Sequence, residues 1–261
     1  MSRILFIDPV GTDLYDAPIQ EFIDGAKRPQ TQVDVVSLAR GPMHLEYHYY
    51  EALVLADTLH RVRAAENEGY DAAVMGCFYD PGLHEAREIC DRLVVTAPAE
   101  SAMHIASTLG HSFSILVGRK KWIPKMHENV VKYGFRDRLA SFKSLDLGVY
   151  DFQKDPAETE RRMRAAAREA IDKDGAEVIV LGCTIEFGFY QKLEMELGVP
   201  VIDAILAPLK YAEFLVELRD RFGWAHSKVY GYQSPPRQEI AEWGLEKQYG
   251  TSGLWEQKGC R

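Results

Sequence analysis

Asp71-Ala-Ala-Val-Met-Gly-Cys77 and Glu177-Val-Ile-Val-Leu-Gly-Cys183 are one phrase written twice, 106 residues apart. Each reads as a short, fully apolar β-strand that runs into Gly-Cys and then into a helix. Each thiol is therefore expected at the carboxyl end of a parallel strand, the place where open α/β sheets bind small molecules. If two similar halves face each other, the two sulfurs flank one substrate from opposite sides. That arrangement removes a proton from one face of a carbon and returns one to the other.

Working outward at the same offset, the agreement persists without a gap. Leu59 to Glu68 is a helical stretch rich in Ala, Arg and Glu ahead of the first strand, and Ala165 to Asp174 holds the same place ahead of the second. After each cysteine come a further helix and a short apolar strand, Leu93-Val-Val-Thr96 and Val199-Pro-Val-Ile202. Ile4-Leu-Phe-Ile7 opens the first unit and Phe113-Ser-Ile-Leu-Val117 the second, with Val33-Asp-Val-Val36 and a helix from about Glu51 completing the start of the first. Alternating strands and helices predict parallel sheets covered on both faces. The repetition predicts two similar α/β half-domains related by a pseudo-twofold axis, with an active-site cleft between them. Residues 1–110, with a return over about 208–230 on a helix from Leu209 to Phe222, are expected to form the first domain, and 111–207 the second. Residues 231–261 read as a C-terminal arm: Pro235-Pro236 interrupts regular structure, Glu239 to Lys247 fits a short helix, and Trp243 and Trp255 favour docking on the first unit or on a neighbouring subunit.

Composition bounds the function. Hydrophobic residues at 46% and charged residues at 27% of 261 are a globular balance with a substantial core. A formal charge of −8 argues against a nucleic-acid surface or a basic membrane face. The chain enters a strand directly at Met1-Ser-Arg-Ile-Leu-Phe-Ile7, and no window approaches the roughly 20 apolar residues of a membrane span. A cytoplasmic location with free thiols is the expectation. The four cysteines show neither Cys-x-x-Cys nor zinc spacing, so no metal is expected. Cys90, within a predicted helix, reads as core packing, and Cys260 as a tail residue without a role.

Chemistry is expected around the paired thiols. A strand-to-helix turn would lower a thiol pKa from about 8.5 toward neutrality through backbone N–H groups and the helix dipole. Gly76 and Gly182 would give the sharp turn its backbone freedom and admit a ligand closely. The N–H groups of Phe78 and Tyr79, and of Thr184 and Ile185, would lie at helix N-termini and hold a carboxylate or an enolate oxygen, a contribution of roughly 3–4 kcal/mol per well-placed donor. Thr184 would add its hydroxyl. Arg119, in Arg119-Lys120-Lys121 after a strand, is a candidate for an anionic group. Glu100 and His104 are candidates for supporting positions behind the site. The aromatic run Tyr47-His48-Tyr49-Tyr50 reads as a loop forming a lid or one wall of the pocket.

At Gly41-Pro-Met-His-Leu-Glu-Tyr-His-Tyr-Tyr-Glu-Ala52, Gly76-Cys-Phe-Tyr-Asp-Pro-Gly-Leu83, Phe113-Ser-Ile-Leu-Val117 and Leu181-Gly-Cys-Thr184, the chain resembles the Asp/Glu/hydantoin racemase superfamily, and within it the hydantoin racemase branch. The resemblance runs from the first strand to about residue 220. It implies a pseudosymmetric two-domain α/β fold with Cys77 and Cys183 as the two bases of a 1,1-proton transfer on a small molecule that needs no cofactor, while the apolar residues of the C-terminal arm lead to the expectation of a homo-oligomer. The loop after the first strand reads Asp8-Pro-Val-Gly-Thr12, where the branch usually has Asn-Pro-Asn-Thr or similar. Asp8, Gly11 and Thr12 become candidate substrate contacts, with an acid that would accept from a ring N–H and repel a carboxylate. Cys183-Thr-Ile-Glu186 is closer to the amino-acid racemase pattern, so hydantoin, amino acid and dicarboxylate stay open as substrates. Two alternatives keep the fold: a cysteine-dependent cis-trans isomerase or decarboxylase of a small dicarboxylate, and a non-catalytic ligand-binding or redox-sensing relative.

Overall fold

Ile4, Leu5, Phe6 and Ile7 are all without solvent exposure, as are Ala72 to Met75 and Val178 to Leu181. Strands apolar on both faces have to be covered on both faces, and the alternation of strand and helix supplies the cover. The computed structural model describes residues 2–255. In chain order the elements are β1 (Ser2–Asp8), α1 (Asp16–Asp24), β2 (Thr31–Ser37), α2 (His48–Asn67), β3 (Ala72–Met75), α3 (Leu83–Ile89), β4 (Val94–Thr96), α4 (Pro98–Leu109) and β5 (Phe113–Val117). There follow α5 (Ile123–Lys132), β6 (Leu139–Ser144), α6 (Pro156–Asp174), β7 (Val178–Leu181), α7 (Tyr190–Leu197), β8 (Val201–Ile202), α8 (Leu206–Phe222), α9 (Arg237–Glu242) and α10 (Leu245–Tyr249).

The strands make two four-stranded parallel sheets of matching order, β2-β1-β3-β4 and β6-β5-β7-β8. This is the expected α/β architecture of two similar halves. The helices after the last strands cross between the halves: α4 follows β4 yet packs on β7 and β8, and α8 follows β8 yet packs on β3 and β4. The two also pack on each other. One apolar cluster consequently runs from Ile4 and Phe6 through Phe78 and Met103 to Phe113, Ile179 and Leu209 without a break between sheets. A second cluster lies under α2 and α3 on the opposite face of the first sheet. Asp203 explains why α8 begins before the expected Leu209: its carboxylate accepts from the N–H groups of Ile205 (2.8 Å) and Leu206 (3.0 Å), and Pro208 is tolerated in a first turn.

The helices expected directly after each Gly-Cys are not there. Cys77 enters a turn closed by the Asp80 N–H on the Cys77 carbonyl, and α3 starts only at Leu83. Cys183 is followed by a single 3-10 turn, Thr184–Glu186, and α7 starts at Tyr190. The glycines before the thiols do not occupy the left-handed region. They are glycines for want of room: a Cβ on Gly76 would lie 2.5 Å from the Phe6 ring, and one on Gly182 would lie 2.3 Å from the Leu116 carbonyl oxygen. The aromatic run is not a loop either, because α2 begins at His48 and carries Tyr49 and Tyr50 in its first turn.

Beyond α8 the chain turns back on the first sheet. His226 Nε2 accepts from the Val95 N–H (3.1 Å) on the outer edge of β4, and Lys228 and Ser234 bond the carbonyl of Glu88. The expected helix over Glu239 to Lys247 is two, α9 and α10, broken at Gly244 with φ of 63°. Trp255 packs under the Arg63 guanidinium, whereas Trp243 stays exposed. Cys260 lies outside the described residues. Among those residues, no helix is long and apolar enough to cross a membrane, and no group of three or more His, Cys, Asp or Glu could hold a metal ion.

The crowding at Gly182 makes a prediction. Gly182→Ala pushes a methyl group against a backbone oxygen that cannot swing aside, so the variant is expected to lose about 2 kcal/mol or more of stability in a denaturant titration. An unchanged midpoint would contradict the packing described here.

Candidate active site

The two cysteine turns meet at the cleft between the sheets. Thr184 Oγ1 donates to the carbonyl oxygen of Gly76 at 3.1 Å, in a buried hydrogen bond that joins the residue after one thiol to the residue before the other. A second buried bond, Asn129 Nδ2 to the Tyr79 carbonyl (2.8 Å), ties α5 to the first turn. Cys77 and Cys183 are both free thiols, and both line the same two hollows. One hollow, of about 330 Å³, is walled by Phe78, Tyr79, Trp122, Met126 and Val149. The other, of about 440 Å³, is walled by Asp8, Thr12, Tyr15, His44 and Ile185. Leu45, Val149 and Thr184 belong to both, so the thiols sit where the hollows join.

A strap from the first half covers this space. Met43 to Glu46 precede α2 and reach onto the second half, where Tyr150 donates to the Met43 carbonyl at 2.6 Å. The buried Glu46 carboxylate takes the Arg119 guanidinium (2.8 Å) on one oxygen and the Val149 N–H (3.0 Å) on the other. Arg119 is thus committed to closing the strap, and it does not line either hollow. Gly11 also serves the strap: its N–H donates to the Pro42 carbonyl at 2.9 Å, and a Cβ there would meet the Gly41 backbone at 2.4 Å. It lines neither hollow. The strap was invisible as a set in the sequence, because Glu46 finds its partners 73 and 103 residues away.

The electrostatics reverse two expectations. Burial pushes both thiols up rather than toward neutrality, with Glu186 adding to the rise at Cys183, against an opposing pull from the N–H of Tyr79 on Cys77 and of Ile185 on Cys183. Without α-helices starting at the thiols, no helix dipole offsets desolvation. Burial, helped by Asp16, also pushes Asp8 up to about 8, so at neutral pH the carboxyl is uncharged and can donate a hydrogen bond. It does not repel an anion as a carboxylate would. Tyr15, on the same wall, is raised by burial and by Cys183.

The supporting positions divide. Glu100 faces away from the hollows and pairs with the buried Arg87 (2.9 Å), which also donates to the Val95 carbonyl. Its backbone acts for the site: the N–H groups of Ala99 and Glu100, at the start of α4, each donate at 2.9 Å to the carboxyl of Asp80. Asp80, at φ of 50°, closes the Cys77 turn, so this bond anchors the thiol to a helix. His104 lies elsewhere, exposed between Phe135 and Tyr211, and it lines neither hollow. Cys90 caps the end of α3 and is buried in the second apolar cluster. Asp80, Glu46 and the strap are the residues that reading the sequence missed. Asp80 alone carried a local signal, the Cys-x-x-Asp-x-Gly spacing.

The Asp/Glu/hydantoin racemase family matches residues 4–212. The chain belongs to that family. It is 36% identical over 237 residues to a hydantoin racemase of Pseudomonas sp. (strain NS671), covering 91% of this chain and 93% of that one. It is 37% identical to a hydantoin racemase of Paenarthrobacter aurescens, covering 91% and 99%. Among solved structures, allantoin racemase from Klebsiella pneumoniae superposes with a TM-score of 0.83 at 31% identity, over 90% of this chain and 94% of that one. The protein is thus an isomerase of the racemase class, and the fold expected from the repeated cysteine phrase is the fold of its family.

Asp8 makes a prediction about pH. Its native carboxyl holds a proton that the unfolded chain releases near 3.8, so its contribution favours folding at low pH and is lost as pH climbs through about 8. Asp8→Asn cannot ionise. Its melting temperature is expected to gain on that of the parent as pH rises from about 5 to about 9, with most of the gain reached by about pH 8. A gap that stays constant over this range would show that Asp8 is charged in the native state.

Proposed function

We propose that the protein interconverts the enantiomers of a small cyclic ureide, of the hydantoin or allantoin kind, by proton transfer between Cys77 and Cys183 and without a cofactor. The observation that carries this reading is that the two repeated Gly-Cys turns bring both thiols to the junction of one pair of hollows. The names of the similar proteins support the ureide as substrate class.

One sulfur enters the reaction as thiolate and the other as thiol. The thiolate takes the proton from the carbon next to the ring carbonyl, and the electron pair of the C–H bond moves onto the carbonyl oxygen. The thiol then gives its proton to the opposite face as that pair returns to carbon. Atoms and charge balance, and the two sulfurs end with their protonation states exchanged. Desolvation that raises a thiol pKa also makes the thiolate a stronger base, closer in proton affinity to a weak carbon acid. Charge that develops on the carbonyl oxygen calls for donors already in place. The Asp8 carboxyl, uncharged and on the wall of one hollow, can supply one. The Thr184 hydroxyl does not supply another, because its proton is committed to Gly76.

The experiment is to supply single enantiomers of 5-substituted hydantoins and of allantoin in deuterated water and follow optical rotation and deuterium uptake. Cys77→Ser and Cys183→Ser are each expected to lose racemisation by roughly a thousandfold, since removing one acid or base in a two-base reaction removes a whole proton transfer. Wild-type racemisation by either variant would remove that sulfur from the reaction.

A further inference from the structure

The loops that follow β2 and β6 meet across the hollows, and each brings an aromatic ring to the junction. From the second half comes Tyr150, whose hydroxyl is spent on the Met43 carbonyl at 2.6 Å. From the first comes His44, and one of its two nitrogens is unspent. The Glu46 N–H donates to His44 Nδ1 at 3.4 Å. A backbone amide can only donate, so Nδ1 presents its lone pair and the ring is the tautomer that carries its proton on Nε2. Nε2 makes no hydrogen bond to a described residue, and it is not among the buried atoms that lack a partner, so it remains accessible. His44 lines the second hollow beside Asp8, Thr12 and Tyr15, and both thiols line that hollow with it.

The polar groups of this wall differ in how firmly they are aimed. A hydroxyl proton, as on Thr12 or Tyr15, swings about its C–O bond. A ring N–H lies in the plane of the ring, so whatever fixes the ring also aims the donor. Three tyrosines pack against the His44 ring, Tyr50 at 5.4 Å, Tyr150 at 6.0 Å and Tyr47 at 6.2 Å between centroids. The strap on either side of it is fastened to the other half, Met43 by Tyr150 and Glu46 by Arg119 and Val149. A donor aimed before the reaction begins stabilises new charge without reorganising. We propose that His44 is a catalytic residue, whose Nε2–H donates to the ring carbonyl oxygen as the electron pair of the broken C–H bond gathers there. His44 gives up no proton in this role, and the exchange between the sulfurs is unaltered. The strap then carries part of the site as well as covering it. This inference rests on the ureide reading above and adds to it a residue from the strap.

Kinetics and magnetic resonance test it separately. His44→Leu is expected to lower kcat for a 5-substituted hydantoin by about a hundredfold while KM moves by less than about threefold, the mark of a donor used in the transition state. His44→Gln, whose amide nitrogen reaches the place of Nε2, should regain most of that rate. His44→Asn, whose amide nitrogen reaches only the place of Nδ1, should not. Gln and Asn variants of equal rate, or a loss confined to KM, overturn the proposal. In protein labelled with 15N at its eight histidines, the His44 signal is assigned by its absence from His44→Gln. It is expected to show the proton on Nε2, and to shift on addition of 5,5-dimethylhydantoin, a ureide with no hydrogen to lose from the ring carbon. A proton on Nδ1 overturns the proposal, as does a signal that stays still while calorimetry shows the ureide binding. A wild type that neither binds nor racemises a ureide would count instead against the function proposed above, and the tautomer of His44 would still decide whether Nε2 has a proton to offer.

Discussion

Two turns from separate sheets, each carrying a free thiol, are held against one another at a single cleft with no covalent link between them. The bond from Thr184 to the Gly76 carbonyl joins them directly. It is short in reach, buried, and made between the two residues that adjoin the thiols, so a shift of one turn drags the other. Everything around it reinforces the same juncture. Asn129 grips the Tyr79 carbonyl, Asp80 fastens the Cys77 turn to α4, and the exchanged helices α4 and α8 lock each sheet against the other half. The apolar cluster that runs unbroken between the sheets resists any hinge.

Burial sets the chemistry as firmly as position does. Burial raises the proton affinity of groups that ionise easily in water, both thiols and Asp8 among them. An enclosed thiol is a poor acid and, once ionised, a strong base. An enclosed carboxyl becomes a donor. Asp8 illustrates the point, since a residue that would have been an obstacle to an anion in water serves as a source of hydrogen bonds here. In the proposed proton transfer, neutral donors of this kind would stabilise charge that appears only during the reaction.

Much of this was legible in the sequence because it depended on local pattern. The strands β1, β3, β5 and β7 are apolar on both faces, and the repeat of Gly-Cys marked where they end. Cys77, Cys183, Asp8, Thr12, Phe78, Tyr79, Thr184 and Ile185 line the hollows as their positions after the strands suggested. What escaped is long-range. β6 reads Leu-Ala-Ser-Phe-Lys-Ser, a half-exposed edge with no apolar run to announce it. Arg119 looked available until Glu46, 73 residues away, claimed it. Gly11 looked like a ligand contact and is a packing contact with Gly41. The helices missing after the cysteines have a long-range cause: Asp80 bonds the amides of α4 and Thr184 bonds the opposite half.

The C-terminal segment has a consequence that concerns the protein's company rather than its chemistry. An outermost strand with a free row of amides invites another chain to add itself, and repeated addition ends in fibres. His226 occupies the Val95 amide on that margin with a lone pair, and Arg87 occupies the carbonyl of the same residue. An imidazole can do this only while unprotonated, and burial holds His226 down to about 4. The margin of the first sheet is therefore sealed across the whole range of pH in which cells live.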